Sequence, residues 1–277
     1  MRIMTWNIWF EHGPWTERRA AIEQVIERES PDVVCLQEVP CRRVGSDATT
    51  YAHDLARRLG FHVHVSDGPW FPRSTTSDEM AMGNAIVSRW PLTETGQVSL
   101  PGVDGEPGYR KAVHARVSTP WGAWPVVCTH LNHRFDESAV RLRQVDAIAD
   151  LVNEVRGDPA VDPPVIVAGD FNAVPDSDEI RRLTGRTAPR HANLAFNDCW
   201  ELRGEGSGHT WRADNGYQAD ANWPNRRLDY VFVSWPRPKP MGHPSRAWLA
   251  GVEPELVDGT PIHGSDHAAI VVDLRVD

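Results

Sequence analysis

The chain reads as an α/β protein in which two mixed β-sheets pack face to face with helices outside. Three observations predict this. Strand-like and helix-like stretches alternate from Ile3 to Val65, short apolar strands separated by turn residues take over from Asn84, and strand patterns lie near both ends. No linker, fixed-period repeat or low-complexity tract interrupts the pattern, so residues 1–277 are read as one domain able to bury a substantial core.

Each element has its own signal. Residues 3–8 predict a strand, and residues 16–29 a helix with Ile22, Val25 and Ile26 on one face and Thr16 as N-cap. An extended run follows over 33–36, then a short helix over 51–59 and a half-buried strand over 61–65. Residues 66–79 are polar, Pro-broken and Ser/Thr-rich, which predicts a long exposed loop whose Trp70 and Phe71 chiefly pin it down. Strands over 85–88, 96–100, 112–117 and 124–129 resemble an antiparallel meander. Asp136 or Ser138 is expected to cap a long helix ending at Val155, with Leu142, Val145, Ile148 and Val152 at three- and four-residue steps. A strand over 165–168, a short helix over 178–183, a loop-rich region to Pro224 and strands over 228–233 and 268–274 complete the reading.

Composition narrows the function classes. The formal charge of −9 repels polyanions at long range, so net charge gives no support to extended, sequence-independent nucleic-acid binding, although a local cationic pocket is compatible with it. All basic residues except Lys111 and Lys239 are arginine, a skew that suits bidentate phosphate recognition and that a GC-rich genome produces equally well. Cys35, Cys41, Cys128 and Cys199 show neither Cys-x-x-Cys pairing nor zinc-ligand spacing. They point to a reduced compartment, and with no leader pattern before the first strand and no membrane-length apolar run the expected location is cytoplasmic. No heptad or leftover apolar stripe predicts a protein partner.

The chemistry is concentrated at strand ends. An apolar run from Val165 leads into Gly169-Asp170-Phe171-Asn172, placing a carboxylate and a carboxamide on one tight turn. Asp170 and Asn172 are alternate residues, so in an extended stretch they face one side. Similar polar groups adjoin apolar strands at Thr5-Trp6-Asn7, Gln37-Glu38, Thr129-His130-Leu131, Arg227-Leu228-Asp229-Tyr230 and Gly264-Ser265-Asp266-His267. A strand-end carboxylate alone is usually a turn former, and a lone histidine is usually structural; six such clusters together point to a site. Arg110, Lys111, Arg226 and Arg227 flank strands entering it and are candidates for phosphate contacts as well as for solvated turns. Trp9 and Phe10 are expected mainly to pack, and His133 to be a loop residue.

In order and spacing, the six clusters from Thr5 to His267 resemble the endonuclease/exonuclease/phosphatase superfamily, in particular its deoxyribonuclease-like and sphingomyelinase-like metal-dependent phosphoesterases. The resemblance implies a four-layer α/β/β/α sandwich. It also implies Mg²⁺, with Mn²⁺ as substitute, at Glu38 as main carboxylate, with Asn7 and Asp266 beside the ion directly or through water. Asp170 matches the residue that orients or deprotonates the attacking water or holds a second ion, and Asn172 a neutral donor to phosphate or nucleophile. His267 matches the catalytic histidine, as base or as phosphate-binding cation, with Asp229 fixing its tautomer. His130 matches a group that supports the leaving oxygen and binds substrate, at a position where abasic endonucleases of this fold carry tyrosine; Arg227 matches a substrate-binding arginine. The implied activity is hydrolysis of a phosphodiester or phosphomonoester of modest size by in-line attack of water, with nonspecific DNA or RNA cleavage and sphingomyelinase-like lipid hydrolysis as alternatives.

Overall fold

The computed structural model describes residues 1–44, 47–72, 79–218 and 222–277. The first part of the chain forms β1 (Arg2–Asn7), α1 (Trp15–Glu29), β2 (Val33–Val44), β3 (Asp47–Thr50), α2 (Tyr51–Leu59), β4 (His62–Val65), β5 (Phe71–Pro72) and β6 (Glu79–Ser88). The middle supplies β7 (Leu92–Pro101), β8 (Pro107–Thr119), β9 (Gly122–His130), α3 (Ser138–Val155), β10 (Ile166–Asp170) and α4 (Asp178–Leu183). The rest comprises β11 (Ala195–Asp198), α5 (Cys199–Arg203), β12 (Asp229–Trp235), β13 (Pro244–Ala250), β14 (Glu255–Val257), β15 (Thr260–Ile262) and β16 (Ala269–Leu274).

Two mixed sheets result. One runs β13-β16-β1-β2-β6-β4, with β3 on β2 and β5 on β6; the other runs β11-β12-β10-β9-β8-β7. Each contains one parallel pair, β1 with β2 and β9 with β10, because α1 and α3 return the chain to the same edge. Strand alternation divides the apolar residues into layers. Ile3, Val33, Cys35 and Ile86 of the first sheet meet Val126, Cys128, Ile166, Ala168, Val231 and Val233 of the second. Met4, Trp6, Val34 and Leu36 face the opposite way onto Ile22, Val25 and Leu55 of α1 and α2. Val127, Val167 and Phe232 likewise cover Val145, Ile148, Val152 and Ile180 of α3 and α4. The architecture is the expected four-layer sandwich.

Several local expectations are corrected. Thr16 does not cap α1, which starts one residue earlier after Pro14 without a side-chain cap; a proline preset for helical φ begins the turn instead. Neither Asp136 nor Ser138 caps α3: Glu137 precedes it, and the Ser138 hydroxyl donates to Glu179 at 2.6 Å. The stretch from Asn84 is not one meander, since β6 belongs to the first sheet and only β7, β8 and β9 form the meander of the second. The loop-rich region to Pro224 conceals β11 and α5, and β13, β14 and β15 follow before the last strand; all are short or carry polar residues. Trp70 is pinned, donating to Asp67 at 2.8 Å beneath Arg43, while Phe71 pairs with β6 and stays exposed; residues 73–78 of that predicted loop lie outside the described residues. All four cysteines are free and buried, as small hydrophobes would be. Among the described residues no helix is long and apolar enough to cross a membrane.

Candidate active site

The site continues the inter-sheet stripes past the end of their apolar part. On β9 the inward series Trp124, Val126, Cys128 is followed two residues on by His130; on β10, Ile166 and Ala168 are followed by Asp170; on β12, Val233 and Val231 lead back to Asp229. The ladders align these three, with Asp170 paired to His130 on one side and to Asp229 on the other. In the facing sheet Asn7 ends the stripe of Ile3 and Thr5 and pairs with Gln37. Glu38 lies where the β2–β6 register shifts, at φ 55, so a bulge rather than alternation aims its carboxylate inward. Glycine at 169 is dictated by the same crowding, since a Cβ there would stand 2.0 Å from the Thr129 carbonyl oxygen.

Asp170 is the hub. Its Oδ2 accepts from Asn7 Nδ2 at 3.0 Å and lies 3.4 Å from His130 Nε2 and 3.9 Å from His267 Nε2; its Oδ1 accepts from the Asn172 amide at 2.8 Å. Burial, reinforced by Asp229, pushes its carboxyl up to about 7. His267 Nδ1 meets Asp229 Oδ2 at 2.8 Å, and although burial opposes it, Asp229 and Asp266 hold the ring well above the ordinary histidine value. His130 goes the other way, driven well below that value by burial and then by Arg110. The Arg110 guanidinium can only donate, so its 2.8 Å bond makes His130 Nδ1 an acceptor and leaves the neutral ring's proton on Nε2, facing Asp170. Asp266, pushed up to about 6 by burial, accepts from Gln218 at 2.7 Å and is braced by Ser265, whose hydroxyl donates to the Asn7 carbonyl at 2.6 Å.

The donor set fits a hard divalent cation. Glu38, Asp170 and Asp266 are carboxylates around one opening, no lysine or arginine pairs with them among the described residues, and Asp229 Oδ1 is buried without a partner. One ligand atom each from Asp170, Asp229 and His267 also falls within 4.8 Å. Asn7 presents nitrogen rather than oxygen to the acids. Its Oδ1 accepts from the Trp9 amide at 3.0 Å, while Nδ2 reaches Glu38 at 3.2 Å, and flipping the amide would oppose donor to donor.

A cavity of about 630 Å³ opens over this floor, lined by Asn7, Glu38, His130, Asp170, Asn172, Asp266 and His267. Asn172 is held by donating to the Leu131 carbonyl at 3.1 Å. Arg227 is not brought to it. That guanidinium is buried, bonded to Asp198 at 2.7 Å and stacked on Tyr230, so its expected phosphate contact is withdrawn: the buried acid claims it first. Arg110 does reach the cavity wall, as does His133, 3.5 Å from Arg110. Phe135, Trp211 and Trp223 also line it and were not singled out from the sequence, where they lie in the β9–α3 and α5–β12 connections without periodicity.

The comparisons agree with this geometry. Residues 4–267 match the model of the Endonuclease/Exonuclease/phosphatase family, and the chain belongs to that family. Membership places it among metal-dependent phosphoester hydrolases. An endonuclease/exonuclease/phosphatase from Beutenbergia cavernae DSM 12333 is 27% identical, with 99% of this chain covering 71% of that one at a TM-score of 0.69. The human Nocturnin catalytic domain with bound sulfate anion is 23% identical (99% and 94% covered, TM-score 0.68), and D. rerio TDP2 complexed with single strand DNA product is 21% identical (99% and 98%, TM-score 0.73); at these identities the likeness is one of fold. A search of curated proteins returns no match.

Proposed function

We propose that the protein is a Mg²⁺-dependent phosphoesterase that hydrolyses a phosphodiester or phosphomonoester by in-line attack of water. The observation that carries this reading is the convergence on Asp170 of His130, Asn7 and the His267–Asp229 dyad, beside Glu38 and Asp266, from elements spread over the whole chain. Glu38 and Asp266 would hold the cation, which when bound would neutralise charge building on the phosphoryl oxygens. Asn7 fixes the Glu38 and Asp170 carboxylates through its amide hydrogens.

Asp170, buried with its carboxylate at the cavity floor, takes the proton of the attacking water. His267, held cationic by Asp229, binds the phosphoryl group opposite. His130 offers its Nε2 proton to the departing oxygen, and Asn172 lies at the cavity wall as a neutral contact for phosphate. The test uses bis(p-nitrophenyl) phosphate and p-nitrophenyl phosphate with Mg²⁺, Mn²⁺ or EDTA. In variants that remain folded, Asp170→Asn and His267→Ala should each lower kcat by about 10²–10⁴. Activity that survives EDTA, or that is unchanged in both variants, removes the assignment.

A further inference from the structure

At the end of β12 remote from the catalytic floor, the local charge changes sign. β12 begins at Asp229, inside the site, and ends at Trp235, where a separate cavity of about 180 Å³ is lined by Asn197, Trp235, Arg237, Lys239, Pro240 and His243. Six steps of strand rise put roughly 20 Å between the two ends, and none of these six residues borders the catalytic cavity. The lining holds three basic side chains and no acidic one.

These cations are held in place without being neutralised. Arg237 donates from Nε to the Met241 carbonyl at 3.0 Å, and from Nη1 to the Asn197 side-chain oxygen at 2.8 Å and the Ser234 carbonyl at 3.1 Å, all neutral acceptors. The guanidinium is half-buried there, and burial pulls it below the ordinary arginine value. Two more arginines stand close by, Arg203 at the end of α5 and Arg275, whose amide donates to the His243 carbonyl at 2.9 Å. After burial itself, Arg237, Arg203, Lys239 and Arg275 hold the His243 ring below the ordinary histidine value. The acids of the adjoining segments are committed elsewhere: Asp198 to Arg227, Glu201 to Arg186, and Asp277 to Arg275 alone, at 3.7 Å. In a chain of formal charge −9 the cluster is a local reversal of the field.

We propose that this cavity binds a dianionic phosphate group, as inorganic phosphate or as the head of a phosphomonoester, at a site separate from the catalytic one. The Arg237 guanidinium, fixed by its neutral acceptors, offers a planar set of donors suited to a tetrahedral oxyanion, and Lys239 adds a point charge beside it. A carboxylate or other monoanion would leave more of the positive charge unmatched. Size limits the ligand as well: about 180 Å³ is well below the roughly 300–1,000 Å³ of pockets that enclose drug-sized ligands, so the phosphate group alone fits inside. Trp235, 49% exposed, borders the cavity and gives the site its own reporter. Nothing in this site depends on the phosphoesterase reading.

Titration of the parent protein in EDTA, followed by the ¹⁵N–¹H indole signals of its tryptophans, tests the site, with Trp235→Phe identifying the reporter. Phosphate bound at the catalytic floor, about 20 Å away along β12, does not touch this ring. The Trp235 signal should shift saturably with inorganic phosphate and with glycerol 3-phosphate, and bind dimethyl phosphate about fivefold or more weakly because that anion carries half the charge. Arg237→Met should weaken phosphate binding by roughly 10- to 150-fold, the worth of a hydrogen bond to a charged group. Lys239→Glu, at an exposed side chain, should weaken it at least about tenfold by turning attraction into repulsion, and it decides the matter alone if Arg237→Met does not fold. Arg57→Glu, which changes the net charge equally at an exposed position on α2, should leave the affinity as it was. A Trp235 signal that does not move, that responds equally to dimethyl phosphate, or that keeps its phosphate affinity in Lys239→Glu overturns the site.

Discussion

Replacing Asp229 by asparagine isolates the dyad, because the substitution keeps the side chain's shape and removes its charge. Asp229 is fully buried, with Oδ2 on His267 Nδ1 at 2.8 Å and Oδ1 without a partner. A charge-assisted hydrogen bond of this kind contributes about 1.5–3 kcal/mol, so losing it where His267 must be cationic lowers kcat by roughly 10- to 150-fold. The pH profile shifts in a definite direction. Burial pulls His267 down and Asp229 is the leading cause of its rise, so in Asp229→Asn the ring loses its proton at lower pH and the alkaline limb of kcat moves down. Asp170 is raised to about 7 by burial first and Asp229 second, so its carboxyl ionises at lower pH as well and the acidic limb moves the same way. Steady-state rates on bis(p-nitrophenyl) phosphate against pH, with thermal unfolding alongside, measure both effects. An unchanged kcat with an unshifted profile in a folded variant would refute the dyad.

Three further outcomes are expected. Gly169→Ala places a Cβ 2.0 Å from the Thr129 oxygen at φ +155, and should destabilise the fold by about 2–6 kcal/mol in urea unfolding, from strain and overpacking together. Arg227→Met leaves Asp198 buried without its 2.7 Å partner and should cost about 3–5 kcal/mol; at temperatures where the variant is folded KM is unchanged, and a raised KM would return Arg227 to the substrate. Glu38→Gln weakens the cradle without touching the dyad, so the Mg²⁺ concentration for half-maximal rate should rise at least tenfold, and an unaltered Mg²⁺ requirement would place the ion elsewhere.

How much was legible follows from the range of each signal. Period-two and period-3.6 patterns are local, which is why α2 and α4 end at Leu59 and Leu183 as read, whereas β13 and β14 are recognisable only by their partners. The starts of α1 and α3 depart from the expectation because Pro14 and Glu137 precede them without any side-chain cap, so the capping signal is missing there. Site chemistry was readable where a motif combines an apolar strand with an unusual polar end, as at Asp170, and unreadable at Trp211 and Trp223, which are ordinary loop aromatics until folding sets them beside His267.

By itself the sequence determined the family, the sandwich and the acidic and imidazole groups, since residue identity and strand alternation already state which groups stand at the ends of buried stripes. Only the tertiary structure decided the partners. Arg227 was drawn to Asp198 and away from phosphate, Asn7 turned its nitrogen to Glu38, and Arg110 fixed the proton of His130. The physical reason is that a hydrogen bond or ion pair is a relation between groups distant in the chain, and which group wins depends on burial and on the nearest competing charge.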